Sequence, residues 1–146
     1  KLLLVGDGPE RQNVEKLTRE VCMEDDVYFL GKQEAVEELL AIADLFVLPS
    51  ETESFGLAAL EAMACEVPVI STNTGGIPEI NVQGVTGYLS NVGDVDDMAA
   101  NAIKILSDES TLLQFRKNAI AQANKFSLDS ILPMYEAYYR KVIEQK

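Results

Sequence analysis

Residues 45–71 read LFVLPSETESFGLAALEAMACEVPVIS, and this stretch decides the fold. Leu45-Phe46-Val47-Leu48 is an unbroken apolar run stopped by Pro49. Residues 56–65 carry helix formers, and a second apolar run fills residues 68–71. Short apolar runs without alternation suit strands covered on both faces, and a helix between two of them is the unit of a parallel sheet. The same alternation extends outward. Upstream, the apolar runs at residues 2–5 and 27–30 are closed by Gly6-Asp7-Gly8-Pro9 and by Gly31. Between them Val14, Leu17, Val21 and Cys22 fall at helical spacing, with Pro9 suited to the first turn. Val36, Leu39, Leu40 and Ala43 mark a further short helix. Downstream, Thr74-Gly75-Gly76-Ile77-Pro78 reads as a glycine turn into a short helix, and residues 87–89 as a final strand.

From about Asp94 onward the pattern predicts helices only. Met98, Ile103, Ile105 and Leu106 are assigned to one face, and Leu112, Leu113, Phe115 and Ile120 to another. Ser127 is the predicted cap of a last helix carrying Ile131, Tyr135, Tyr138, Tyr139 and Val142, with Pro133 inside its first turns. Glu144 and Lys146 are expected to fray. The predicted class is α/β, a Rossmann-like parallel sheet with helices on both faces.

Composition narrows the function. The 146 residues include 12 Lys+Arg and 24 Asp+Glu, a formal charge of −12. Nucleic acid and anionic membranes both attract clustered Lys and Arg, so neither is an expected partner. There is no histidine, which removes Ser-His-Asp triads, Cys-His dyads and His-ligated metals. Cys22 and Cys65 lack metal or redox spacing and are expected as buried free thiols. No apolar stretch approaches membrane-span length. The chain opens in mid-strand without Met, so it is expected to be a piece of a longer cytoplasmic protein.

In open parallel sheets, ligands meet the carboxyl ends of strands, where loops lead into helix N-termini. Three turns answer that description: Gly6-Asp7-Gly8-Pro9, residues 50–56, and Asn73-Thr74-Gly75-Gly76. From Phe55 to Cys65 only Glu61 is charged. A helix apolar all round is predicted to be buried, and a lone carboxylate on it needs donors, such as two adjacent hydroxyls on a ribose. Glu53, just before that helix, fits either the mouth of a ligand cleft or a solvated acid near a helix start. The N–H groups of Phe55, Gly56 and Leu57 are candidates for an anion-binding nest, and the Phe55 ring is better suited to packing than to stacking. Glu53 and Glu61, eight residues apart, would lie about 12 Å apart along a helix axis. That exceeds the spacing of a hydrolase acid/base pair, roughly 5–9.5 Å. The turn at Gly75-Gly76 reads equally as turn geometry or as ligand contact. No Lys or Arg occurs from Gln33 through Ile103, so a diphosphate bound at these turns would need cations from another segment.

Taken together, these blocks resemble the nucleotide-sugar-binding, C-terminal half of retaining glycosyltransferases of the two-domain GT-B fold, the glycogen synthase-like and sucrose synthase-like family. Leu4-Val5-Gly6-Asp7-Gly8-Pro9, Phe29-Leu30-Gly31, residues 43–50, Gly75-Gly76-Ile77-Pro78-Glu79 and above all the Glu-x7-Glu block from Glu53 to Glu61 carry it. The resemblance implies that residues 1–146 form a single nucleotide-sugar-binding domain lacking its first strand and helix and an N-terminal acceptor domain. It implies that Glu61 holds the ribose and that Glu53, the catalytic candidate, faces the transferred sugar. Ser54 and the amides of Phe55, Gly56 and Leu57 would bind sugar hydroxyls and diphosphate. Gly8, Lys32 and Gln33 would line the donor, the last two near the base.

The expected partners are a UDP-sugar donor and a small-molecule acceptor held by the N-terminal domain. No cofactor or metal is implied, since the UDP-sugar is a substrate, and a homo-oligomer is compatible with the family. Gly31-Lys32-Gln33, Asp44-Leu45, Met63-Ala64-Cys65 and Val92-Gly93-Asp94 resemble the subgroup that moves N-acetylglucosamine to L-malate in bacillithiol synthesis. Alternatives are a member acting on a lipid or polysaccharide acceptor, or a non-catalytic nucleotide-sugar module. An epimerase is disfavoured by the Glu53–Glu61 block, and a dehydrogenase by the missing third glycine after Gly6-Asp7-Gly8. One departure from the family is Glu66, where glycine is usual.

Overall fold

A computed structural model describes residues 1–144; Gln145 and Lys146, with the expected fraying of Lys146, lie outside the described residues. Among the described residues, five strands, seven α-helices and one 3-10 turn follow one another in the predicted order. The chain divides into two compact units, Lys1–Val36 and the remainder from Glu37. All pairing is parallel, as the apolar runs predict, but it runs in two sheets rather than one continuous sheet.

In the first unit β1 (Leu2–Val5) pairs with β2 (Val27–Gly31), and α1 (Arg11–Glu20) connects them. The ladder slips between Leu4 and Val5, and the Gly6 N–H then donates to the Gly31 carbonyl at 2.7 Å. Leu2, Leu3 and Val5 are well exposed, so this strand is not covered on both faces as its composition suggests.

Cys22 is a correction. It is exposed, not buried, with φ +55°. The reason is local: Cys22 N–H donates to the Arg19 carbonyl and Met23 N–H to the Thr18 carbonyl. That crossed pair is a Schellman ending, and Cys22 is its left-handed residue, outside the helical spacing that suggested burial.

The second unit holds β3 (Phe46–Leu48), β4 (Val69–Thr72) and β5 (Gly87–Ser90) in the order β3-β4-β5. α2 (Val36–Leu40) precedes β3, α3 (Leu57–Ala64) joins β3 to β4, and α4 (Ile77–Ile80) leads from β4 to β5. α5 (Val95–Leu106), α6 (Glu109–Ala123), the 3-10 turn Asn124–Phe126 and α7 (Leu128–Glu144) follow. Every residue of the central strand β4 is buried. Ile70, Tyr88, Met98, Ile105 and Phe115 form the core on one side, with Leu45, Ala102 and Leu112 at its edge. Each such buried apolar side chain contributes about 1.5–3 kcal/mol.

The helical faces are narrower than predicted. Met98 and Ile105 point inward while Ile103 and Leu106 are exposed; Phe115 is buried and Leu112 half-buried, but Leu113 is exposed. The inward set keeps the 3–4 residue spacing, and the apolar residues beside it fall off the stripe.

Asp94 caps α5 by accepting from the Asp97 N–H, and Asp108 caps α6 through the Thr111 N–H. Hydrogen bonds from the Thr111 and Ser110 hydroxyls, then from the Thr111 N–H, hold the Asp108 carboxyl below the usual aspartate range. Ser127 precedes α7 as expected, but its hydroxyl pairs with that of Ser130 at 2.9 Å. Pro133 lies within α7, a helix without a single buried residue.

Asn81, which pattern reading does not single out, knits this unit together. It is fully buried beyond α4, and its Nδ2 donates to Ser71 Oγ (2.7 Å), the Val69 carbonyl (3.1 Å) and the Tyr88 carbonyl (3.2 Å). Its Oδ1 accepts from the Thr86 hydroxyl at 3.0 Å. One amide thus joins β4, β5 and the loop between α4 and β5, and satisfies the need of a buried polar group for partners.

Candidate functional site

Glu53, Ser54, Phe55, Gly56, Leu57 and Glu61 all lie in the second unit, on the β3–α3 loop and on α3. Gly56 is the N-cap residue of α3 at φ +93°, and no side chain caps the helix. A Cβ there would lie 3.1 Å from Ile80 Cδ1 and 3.3 Å from Ile77 Cγ1, so both the backbone angle and the space require glycine. Among the described residues the N–H groups of Phe55, Gly56 and Leu57 have no hydrogen-bond partner. Three unpaired donors at a helix start are a ready anion site. α5 and α6, by contrast, satisfy their own starts with aspartates.

Glu53 is half-buried, and its Oε1 accepts from the Ser54 N–H at 3.0 Å. The Phe55 ring meets Phe126 edge-on, with centroids 5.8 Å apart, which is packing.

Glu61 departs from expectation. α3 is not buried all round: Ala59, Ala62 and Met63 face inward, while Leu57, Ala58, Glu61 and Ala64 form an exposed stripe. Ala, Leu and Met suit a helix on either face, so composition alone overstates burial. Glu61 is an exposed carboxylate on the same face as Leu57, one turn further on. Beside them, α3 and α7 enclose an apolar cleft of about 640 Å³ lined by Phe55, Leu57, Leu60, Phe126, Tyr135 and Tyr138.

The glycine turn after β4 is packed against the Glu53 loop, which turn geometry alone does not require. It is the wall behind the Glu53 loop. A Cβ on Gly75 would overlap the Glu53 carbonyl oxygen, and one on Gly76 would come within 2.6 Å of the Ser54 carbonyl oxygen. Sequence reading found both turns but not their contact, nor the hydroxyls of Thr72 and Thr74 that reach across.

The remaining predicted residues lie in the first unit. Gly8 lines a cleft of about 360 Å³ with Leu4, Val5, Pro9, Arg11 and Phe29. Arg11 Nε donates to Glu15 Oε1 at 2.8 Å, its Nη1 lies 3.6 Å from Asp7, and the guanidinium packs 5.9 Å from the centre of the Phe29 ring. Gln33 Nε2 donates to the Leu30 carbonyl at 2.6 Å, and Lys32 is exposed. In the second unit Arg116 is committed to Asp44 (2.7 Å) and the Ala43 carbonyl (3.1 Å), so it offers little free charge to an anion.

The family described as Glycosyl transferases group 1 matches residues 1–122. The chain belongs to that family. This glycosyltransferase chain is 49% identical, over 98% of its length, to N-acetyl-alpha-D-glucosaminyl L-malate synthase of Bacillus anthracis, of which it covers 38%. Among solved structures it is similar to sucrose-phosphate synthase from Thermosynechococcus elongatus. There the TM-score is 0.86 at 32% identity, covering 99% of this chain and 39% of that one. It is also similar to Anabaena HepE in complex with UDP, with TM-score 0.85 and 29% identity over 95% of this chain and 40% of that one. The chain thus spans about two-fifths of the length of these relatives. Its α/β, parallel-stranded architecture is that of GT-B glycosyltransferases, as the Glu53–Glu61 block implied. No helix among the described residues is long and apolar enough to cross a membrane.

Proposed function

We propose that the complete protein transfers N-acetylglucosamine from UDP-N-acetylglucosamine to L-malate, with retention at the anomeric carbon, and that residues 1–146 supply its nucleotide-sugar-binding domain. The observation that carries this reading is the 49% identity, over 98% of this chain, with the N-acetylglucosaminyl L-malate synthase. The open start of α3 supports the donor chemistry. When the bond from sugar C1 to the diphosphate breaks, negative charge grows on the leaving oxygens. The Phe55, Gly56 and Leu57 N–H groups and the dipole of α3 favour that charge without reorganising.

Glu53 faces the transferred sugar, with Ser54 beside it, and Glu61 accepts hydrogen bonds from both ribose hydroxyls. An exposed carboxylate with no protein partner is free to do so. Gly8, Lys32 and Gln33 line the donor on the side of the base. The diphosphate's remaining charge is met by cations from outside the span between Gln33 and Ile103, and the acceptor by a domain beyond this chain. The chemistry needs neither metal nor cofactor, and its setting is the cytoplasm.

Nucleotide release by the complete protein with UDP-N-acetylglucosamine, measured with and without L-malate, tests the proposal. Malate-dependent release is the expected result. Release that ignores malate but answers to a lipid or polysaccharide acceptor would discard the acceptor and keep the transferase.

A further inference from the structure

The loop that carries Glu53 is held by one neighbouring segment, and mostly not through the hydrogen bonding of helices or strands. The Thr72 hydroxyl, at the buried end of β4, donates to the Ser50 carbonyl at 2.6 Å. The Thr74 hydroxyl donates to the Glu51 carbonyl at 3.2 Å. The Gly76 N–H donates to the Ser54 carbonyl at 3.1 Å. These three bonds bracket Glu53, and Gly75 presses backbone against the Glu53 carbonyl between them. The same segment is tied to the end of β5. Asn73 N–H donates to the Ser90 carbonyl at 2.9 Å, and Asn73 Nδ2 to Asn91 Oδ1 at 3.0 Å. The Glu53 loop is therefore tied by the Thr72 and Thr74 hydroxyls to the segment after β4, and that segment is tied to the end of β5 by Asn73.

We propose that Thr74 is a positioning residue for Glu53: its hydroxyl fixes the peptide two residues before the carboxylate and so sets where the carboxylate meets the sugar. Thr72 is buried and anchors the segment. Thr74 is half-buried at the rim, and its bond is the one that can be removed without opening the core. A displacement near 1 Å at a reacting centre costs about a hundredfold in rate, so one loosened loop bond is expected to show in kcat. The inference rests on the donor-site reading of Glu53.

The test uses the complete protein with Thr74→Val, which keeps shape and loses the donor, Thr74→Ser, which keeps the hydroxyl, and Glu53→Gln as reference. Thr74→Val is expected to lower kcat about tenfold, with UDP affinity within about twofold and an unchanged melting temperature. Thr74→Ser is expected to recover kcat to within about threefold of the parent. If Thr74→Val keeps full kcat while Glu53→Gln abolishes transfer, the positioning role is overturned and the role of Glu53 stands. A joint fall in kcat, UDP affinity and melting temperature that serine does not rescue assigns the hydroxyl to general stability and also overturns it. So does failure of both Thr74→Val and Thr74→Ser to fold. If Glu53→Gln transfers sugar normally, the donor-site reading itself has failed, and the inference falls with it.

Discussion

Two glycine turns at strand carboxyl ends use the same residue for opposite reasons. At Gly6-Asp7-Gly8, an added Cβ on either glycine meets nothing within 4 Å; Gly6 is required by its φ of +128°, and Gly8 lies at the edge of a cleft. At Gly75-Gly76, an added Cβ strikes the backbone of Glu53 or Ser54. The first turn leaves space open above the strand end. The second removes space so that two loops can touch. A run of glycines in sequence therefore marks proximity of backbone to something, and only the fold says whether that is protein or an unfilled cleft.

The sharpest way to break this comparison is Gly75→Ala. Backbone cannot retreat as a side chain can, and φ is +56°, so the substitution is expected to cost about 3 kcal/mol or more, read from the denaturant midpoint, with transfer lost. A near-silent Gly75→Ala would show that the two loops are not held in contact. Gly76→Ala comes next, at about 1–3 kcal/mol, because its φ is ordinary and only the close approach to the Ser54 carbonyl and to Phe55 is at stake.

Glu61→Gln separates ligand from scaffold. It is expected to weaken UDP binding by the complete protein roughly tenfold while leaving the melting temperature in place, since an exposed carboxylate without a protein partner supports no fold. Unchanged affinity in a titration would remove the ribose role. Gly8→Ala should have the smallest effect on folding, within about 0.5 kcal/mol. A cost above about 1 kcal/mol would mean that the Gly6–Gly8 turn is packed after all.

Strand positions were legible because an apolar run needs no partner to be recognised. Leu2–Val5 matches the reading to the residue, and Gly87–Ser90 differs by one. The Glu53–Glu61 block was legible as a family signature. Its environment was not: whether Glu61 is buried depends on which stripe of α3 meets β4, α4 and α6, and Ala-rich helices look apolar on every face. Asn81 and Thr74 were silent for a related reason. Their partners lie on other elements, and no spacing rule connects Asn81 to Val69, Ser71, Thr86 and Tyr88, or Thr74 to Glu51.

Helix α3 ends as α1 does. Glu66 N–H donates to the Met63 carbonyl and Val67 N–H to the Ala62 carbonyl, with Glu66 at φ +63° in the position that glycine favours. Glu66 sets a negative charge at the negative end of a helix dipole. The chain therefore carries two adjustable screws at its surface. Replacing Cys22 and Glu66 by glycine should each relieve about 1 kcal/mol of backbone strain. With no shared partners their effects should add, giving a more durable protein for assay or crystallisation whose Glu53 loop is untouched.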